Sequence, residues 1–199
     1  MKKLFTILLF SLIAFNSPAQ IAVKLYQFRP SGDFGSVMGR SVTAELLFIG
    51  EFKHHKRMRF GLTYVALHAR LDTFPITVIS SEYPNVMPGT MVYKHYRVLI
   101  GNMGFDYGFL DNDIWTPYAG FDIIAGATDV AYNKNDIIVN TDYSGGEVLV
   151  GFRFRAGVEY TFKEKYGVFL EIARAMYLLS DKTTLAHNDF GLGFRYKFN

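Results

Sequence analysis

The residues of this sequence that could do chemistry are charged side chains at every second position of otherwise apolar or aromatic stretches. In the stretch 146–162 the even positions from 148 onward are all apolar or aromatic. The odd positions, among them Arg153, Arg155 and Glu159, are polar or glycine with the single exception of Leu149. A period of two predicts a β-strand with two unlike faces. Its charged face can line a water-filled space or bind partners of opposite charge.

The same alternation, followed along the whole chain, predicts one shared inward face that is rich in charge. The predicted inward charges are Glu45, Asp106, Asp122, Arg153, Arg155, Glu159, Glu171 and Arg195, with Lys24, Arg59 and Lys197 as further candidates. Isolated charges are costly to remove from water, so these groups are expected to pair. Asp122 is expected to pair with Arg155 or Arg153, and Glu171 with Arg195. The set can form either a selective pore or a plug of ion pairs.

Four further cations, Arg70, Lys94, Arg97 and Arg174, interrupt or overrun the apolar faces. Counted along its strand, Arg174 comes near the top of an apolar band about 25 Å tall. We predict that these four side chains contact lipid phosphates at an outer rim.

The histidines and serines do not define a catalytic site. His68, His95 and His187 are expected near the outer rim, whereas the serines at 80, 81 and 180 lie in predicted loops. A serine and a histidine could be brought together, but no spacing in the sequence requires it. We therefore predict no catalytic residues and no cofactor.

Two sequence features resemble metal sites only weakly. The adjacent pair at 54–55 would point to opposite faces of an extended chain. The Asp-Asn-Asp run at 111–113 resembles the start of a calcium loop, but its sixth position is Thr116 where glycine is needed. We interpret the run as a turn and predict no metal site.

Eight stretches of the chain show strand patterning. They are 21–29, 39–52, 58–70, 91–110, 114–126, 146–162, 166–179 and 187–198. In the first stretch, Val23 and Leu25 could face outward with Lys24 inside, or the reverse. Short charged turns at 53–57, 111–113 and 163–165 alternate with longer connections, among them 71–90 and 127–145. This pattern predicts an all-β fold, a transmembrane antiparallel up-and-down β-barrel with short periplasmic turns and longer outer loops. Eight strands leave a bore that side chains can fill, which favours the plug.

Composition and the first residues agree with an exported membrane protein. The chain has 199 residues, of which 50% are hydrophobic and 17% aromatic, and it has 0 cysteines, which excludes disulfides and thiolate chemistry. Residues 1–19 combine Lys2 and Lys3, an apolar run and small residues before position 20, as a signal peptide does. The barrel is then expected over 20–199. Its charges nearly balance, so nucleic acid is not expected as a partner.

The C-terminal strand carries the most specific resemblance. Residues 191–198, Gly-Leu-Gly-Phe-Arg-Tyr-Lys-Phe, alternate and end on an aromatic residue, although Asn199 follows. In this strand, and across 20–199, the chain resembles the small eight-stranded outer-membrane barrels of the OmpA/OmpX type, without a periplasmic domain. The resemblance implies insertion into the outer-membrane lipid of a Gram-negative bacterium, with recognition of this strand by the barrel assembly machinery.

The resemblance leaves the function open. The leading hypothesis is a structural or loop-mediated binding role for a barrel plugged by salt bridges, with no outer partner indicated by the sequence. The alternatives are a lipid A-modifying enzyme and a passive conduit for small or apolar solutes. Related deacylases carry a His-x-Ser-Asn element, which the residues 187–189, His-Asn-Asp, do not match.

Overall fold

The computed structural model describes residues 19–53, 56–71, 73–78, 87–110, 114–136, 140–179 and 184–198. The predicted signal peptide lies almost wholly outside these ranges, as do the pair at 54–55, the turn 111–113 and the serines at 80, 81 and 180. The described elements are β1 Ala19–Ser31, α1 Gly32–Val37, β2 Ser41–Lys53, β3 Lys56–Leu67, β4 Phe74–Val78, β5 Met87–Gly108, β6 Trp115–Asp136, β7 Asn140–Gly145, β8 Val148–Phe162, β9 Tyr166–Leu179 and β10 Thr184–Lys197.

Eight of these strands close into a barrel. They pair antiparallel in the order β1, β2, β3, β5, β6, β8, β9, β10, and β10 returns to β1 along a ladder from Gln20↔Lys197 to Ser31↔Ala186. Closure leaves the barrel without a free edge, so the backbone groups pair within the sheet. The predicted fold class, an antiparallel eight-stranded barrel, is confirmed.

Side chains alternate across the barrel wall as the sequence predicts. On β2, Leu46 and Phe48 are exposed on the outside while Glu45 is buried inside. On β1 the open question of phase is decided, because Lys24 is 1% exposed whereas Val23 and Leu25 are 47% and 58% exposed. The apolar surface therefore faces outward and the charges face the lumen.

Two hairpins continue beyond the barrel at the end that carries the longer loops, which we call the long-loop end. The other end is the short-turn end. β4 pairs with the start of β5, and β7 pairs with the end of β6. We call β4, β7 and residues 87–93 and 130–136 the extension. The prediction of a loop over 127–145 was wrong. Within 71–90, which the sequence predicts as a longer connection, β4 and the start of β5 extend the hairpin.

The first connection also differs from its prediction as a loop. Residues 32–37 form the short helix α1, which begins at Gly32 with a φ of 65°. Phe34 and Val37 of this helix pack against the buried apolar cluster at the long-loop end, together with the buried Met38. The helix thereby covers that end of the lumen. Within the described residues, no helix is long and apolar enough to cross a membrane.

Candidate functional site

The middle and the short-turn half of the lumen hold a dense set of charged side chains. Among the described residues, six carboxylates and six cations meet there, so their formal charges balance. The carboxylates are Glu45, Asp106, Asp122, Glu159, Glu171 and Asp189, and the cations are Lys24, Arg57, Arg59, Arg153, Arg155 and Arg195. All eight of the sequence-predicted inward residues are in this set. We call these twelve residues the lumen network.

Glu45 joins three other strands through its carboxylate. Lys24 Nζ lies 2.5 Å from Oε2, and Arg153 Nη2 lies 2.7 Å from Oε1. Asn102 Nδ2 donates a further hydrogen bond to Oε1 at 2.8 Å. Lys24 lies on the neighbouring strand β1, whereas Arg153 lies on β8, four strands away in the barrel order, so the contact with Arg153 crosses the lumen.

Arg155 and Arg153 share the carboxylate of Asp122. Arg153 Nε donates to Asp122 Oδ2 at 2.7 Å, and Arg155 contacts the same oxygen. Arg155 Nη2 also lies 2.7 Å from Asp106 Oδ1. The sequence proposed one arginine or the other for Asp122, and the structure brings both to it. A glycine leaves room here, because a Cβ at Gly120 would lie 2.2 Å from Asp106 Oδ1 and 2.8 Å from Arg155 Nη2.

The expected pair of Glu171 with Arg195 is wrong. Glu171 accepts from Arg59 Nη1 at 2.6 Å, Lys24 Nζ at 2.8 Å and Tyr118 Oη at 2.9 Å. The cause is the register of the last hairpin, in which Glu171 stands opposite Gly191 and Arg195 stands opposite Gly167. The two side chains therefore lie four residues apart along the strands, about 13 Å.

Arg195 instead belongs to a separate group at the short-turn end. Its Nη2 lies 2.5 Å from Glu159 Oε1, and its Nη1 donates to Gln20 Oε1 at 2.8 Å. Arg57 pairs with the other oxygen of Glu159. Arg57 is not among the inward residues that the sequence predicts, because the charged stretch 53–57 predicts a turn. The signal was present, since the alternation of β3 runs through Arg59 to Arg57.

The lumen at the long-loop end is apolar rather than charged, which the salt-bridge prediction did not include. A buried cluster fills this half, and Leu149, the exception in the sequence pattern, is part of it. The larger members of the cluster are Tyr26, Phe28, Met38, Leu67, Tyr96, Ile100, Ile124, Leu149, Tyr177, Leu179 and Leu185. A cavity of about 10 Å³ remains among Phe28, Val98, Leu149 and His187. That is the space of about one water molecule.

His187 is buried inside the barrel, whereas the sequence predicts a histidine near the outer rim. It is 1% exposed and stacks on Phe28 with ring centroids 3.9 Å apart. Its Nε2 lies 3.1 Å from Asp189 Oδ1 and 3.5 Å from Tyr177 Oη. Each of these polar partners comes from the lumen wall, and no serine is among them within the described residues. Those residues also hold no group of three or more His, Asp or Glu side chains arranged to bind a metal ion.

The four predicted rim cations are all exposed, but their surroundings differ. Lys94 Nζ pairs with Asp142 Oδ1 at 2.9 Å, and Arg97 Nη1 lies 3.7 Å from Asp129 Oδ2. Arg70 Nε donates to the Met38 carbonyl at 3.3 Å, and Arg174 Nη1 donates to Asn188 Oδ1 at 3.4 Å. Their contact with lipid phosphate remains a prediction.

A row of aromatic side chains crosses all four strands of the extension. Phe74 and Tyr93 have ring centroids 5.8 Å apart, Tyr93 and Tyr132 also 5.8 Å, and Tyr132 and Tyr143 4.7 Å. Tyr93 in this row packs against the apolar cluster of the lumen, and the row ends at Tyr143, which is 44% exposed. It gives the extension an aromatic face that reaches solvent.

A small polar contact links β7 of the extension to β6 and β5. Asn133 and Lys94 both donate hydrogen bonds to Asp142, and these bonds lower the pKa of its carboxyl group. Asp142 is therefore ionised at neutral pH, as its ion pair with Lys94 requires.

A closed antiparallel barrel of eight strands, apolar outside and charged within, defines the class of small outer-membrane β-barrels. It is the same class to which the sequence of the C-terminal strand points. Among solved structures, Neisserial surface protein A (NspA) aligns with a TM-score of 0.61 at 13% identity, covering 90% of this chain and 97% of that one.

Ail, the attachment invasion locus protein of Yersinia pestis, aligns with a TM-score of 0.53 at 13% identity in its complex with the heparin analogue sucrose octasulfate. The alignment covers 92% of this chain and 99% of Ail. At these identities the likeness shows the shared fold. No protein-family model and no curated protein sequence matches the chain.

Proposed function

We propose that this protein is an integral outer-membrane β-barrel with a closed lumen, and that it functions through the surface it displays at the long-loop end. The lumen network carries this proposal. Its twelve charges balance, and each of its six carboxylates lies within 4.0 Å of at least one of its cations. An ion path through the network would need several buried ion pairs to open at once, and each broken pair leaves an uncompensated charge.

The displayed surface is the extension together with the exposed cations beside it. The aromatic face ends at the solvent-exposed Tyr143, and Arg70, Lys94 and Arg97 lie exposed at the same end. Aromatic side chains and arginine are enriched in protein interfaces. We therefore expect a partner to bind at this end of the barrel.

A sulfated saccharide is the first ligand to test at this end. The exposed cations supply charge, and the structurally similar Ail has been crystallised with sucrose octasulfate. We expect calorimetry in detergent to detect sucrose octasulfate binding that weakens with added salt. The double substitution Lys94→Gln with Arg97→Gln should weaken it further. Binding of equal strength in that variant would exclude this surface as the site.

Planar-bilayer recording tests the closed lumen. The wild-type barrel is expected to insert without sustained ion conductance. Steady channel currents from the folded wild-type protein would reject the plug and favour a selective pore.

The apolar filling of the long-loop half favours one second candidate, a passive conduit for small apolar solutes. Conductance does not detect such a flux, so uptake of an uncharged aromatic dye into proteoliposomes is the suitable measurement. Uptake above that of liposomes with an unrelated barrel would support the conduit. Uptake equal to that of liposomes with the unrelated barrel would argue against the conduit and support the closed barrel.

A further inference from the structure

A row of polar side chains crosses the outer wall of the barrel on three adjacent strands. Arg29 of β1 stands opposite Asn188 of β10, and Asn188 stands opposite Arg174 of β9. Both arginines are exposed and Asn188 is half-buried between them. We call these three residues the polar row.

On β9 and on the short-turn side of β10, the polar row interrupts an apolar surface. Towards the short-turn end, the next outward residues on the three strands are Gln27, Phe190 and Ile172, and the latter two are 54% and 58% exposed. On β9 beyond Arg174, Met176 and Leu178 are again exposed and apolar. The polar row is therefore a local gap in the apolar belt of β9 and its neighbours.

The two arginines lack an acidic partner there. Among the side chains that the structure describes, none of the carboxylates lies within 4.0 Å of either guanidinium. Arg29 Nε donates to Gln27 Oε1 at 2.5 Å, and Arg174 Nη1 donates to Asn188 Oδ1. Lys94 and Arg97, by contrast, have Asp142 and Asp129 beside them. A guanidinium against apolar surface is costly without a counter-charge, and these two must find theirs outside the described chain.

The shape of the surface indicates what that partner is. A groove of about 790 Å³ runs beside the polar row, and apolar side chains form its other walls. Its lining includes the outward-facing Arg29, Arg174, Asn188, Phe154, Ile172 and Phe190, and also the buried, lumen-facing Arg155, Ala173 and Asp189. The groove is cationic at one side and apolar at the other, which matches a molecule with an anionic head and a hydrocarbon chain.

We propose that the polar row binds the phosphate group of a membrane lipid whose acyl chain lies along Phe154, Ile172 and Phe190. Each of the two guanidinium groups can donate two parallel hydrogen bonds to phosphate oxygens. The Asn188 amide lies between them and can donate one more hydrogen bond. This inference rests on the placement of the barrel in a membrane, but it needs neither the closed lumen nor a ligand of the extension. It also narrows the sequence prediction, since of the four rim cations only Arg174 belongs to this site.

Native mass spectrometry of the purified barrel in detergent provides the test. Phosphatidic acid, with a phosphate head, is compared with diacylglycerol of the same acyl chains, and inorganic phosphate is titrated separately. Wild-type protein is expected to bind phosphatidic acid in preference to both. Equal binding of diacylglycerol would overturn the role of the phosphate, and equally tight binding of inorganic phosphate would overturn the role of the lipid.

A matched pair of double variants locates the site. Arg29→Gln with Arg174→Gln should raise the half-saturating concentration of phosphatidic acid about tenfold, because two charge-assisted contacts are lost. Lys56→Gln with Lys163→Gln removes the same charge from exposed positions at the short-turn end and should change it less than about twofold. An equal loss in both variants, or no loss in the first, would reject the polar row as the site. Heat-modifiable electrophoretic mobility checks that each variant is folded. The comparison of phosphatidic acid with diacylglycerol and inorganic phosphate uses only wild-type protein, so it tests the proposal even if a variant does not fold.

Discussion

Arg155 is the most completely buried cation of the lumen network, with a side chain that is 0% exposed. Its removal leaves Asp106 and Asp122 with less compensation, and breaking a buried pair in this way costs about 3–5 kcal/mol. We predict that Arg155→Ala lowers the temperature at which the folded barrel loses its compact electrophoretic mobility.

The matched control for this variant is Arg97→Ala. Arg97 is exposed, and its nearest carboxylate, that of Asp129, lies 3.7 Å away. Exposed pairs contribute about 0–1 kcal/mol, so the control should melt close to the wild type. If both variants melt at the wild-type temperature, the lumen charges are solvated and do not stabilise the barrel.

The corrected partner of Arg195 can be tested with a double-mutant cycle. Arg195→Gln combined with Glu159→Gln should show an interaction energy of about 1–3 kcal/mol, because the two residues are in contact. Arg195→Gln combined with Glu171→Gln should be additive within about 0.5 kcal/mol, because distant sites act independently. Reversible urea-induced unfolding of the barrel in lipid vesicles measures the free energy of unfolding of each variant. Strong coupling to Glu171 would mean that the register of the last hairpin is shifted.

Sequence reasoning identified the inward residues but not their partners, for a physical reason. A period of two fixes the face on which a side chain lies, so Glu45, Asp122 and Arg153 could be assigned to the lumen. It does not fix height, which depends on strand register, and so Glu171 was given the wrong partner. Lys24 shows the remaining limit. Its strand is short and has apolar residues on both faces, so the pattern alone does not determine which face points into the lumen. The carboxylates that contact Lys24 from other strands determine it.

At the scale of elements, the extension shows where sequence patterning fails. The end of β6 carries Asp129, Asn133 and Lys134, which look like loop residues. These strands lie beyond the apolar belt, where neither face has to be hydrophobic. Cross-strand contacts such as Tyr132 with Tyr143 hold them instead, and a single sequence does not show which residues stand opposite each other.

Proteolysis distinguishes a paired extension from a loop. Lys134 stands opposite Thr141 on β7 and Met91 on β5, so trypsin can cut there only after the strand opens locally. We predict slow cleavage after Lys134 in the folded barrel. Tyr132→Ala should accelerate it, because each lost aromatic pair weakens the extension by about 0.5–1.5 kcal/mol.

The control for this experiment is Tyr107→Ala, which removes an exposed aromatic residue from the barrel wall at the other end of β5. It should leave cleavage after Lys134 unchanged. Rapid cleavage in the wild type, at the rate found in the heat-unfolded chain, would show that 127–145 is a loop as the sequence first indicated.

At the scale of the whole molecule, the two ends differ in a way that predicts orientation. The turn between β8 and β9 is tight, with Lys163 and Glu164 at φ 51° and 59°, whereas the extension rises from the opposite end. In outer-membrane barrels, short turns face the periplasm and longer loops face outward. We predict that Lys134 is accessible from outside the cell and that Lys56 and Glu164 are not. The same prediction places residue 85, which lies outside the described part of the chain, on the outer side.

Cysteine labelling in intact cells measures this orientation directly, because the natural chain has 0 cysteines and so gives no background. Cysteine at position 134 or 85 should react with a membrane-impermeant maleimide in intact cells. Cysteine at 56 or 164 should react only after lysis, which also serves as the control that each site is reactive. Labelling of Glu164→Cys in intact cells, with Lys134→Cys protected, would mean that the barrel is inserted the other way. The extension would then face the periplasm, and a binding role at the cell surface would be excluded.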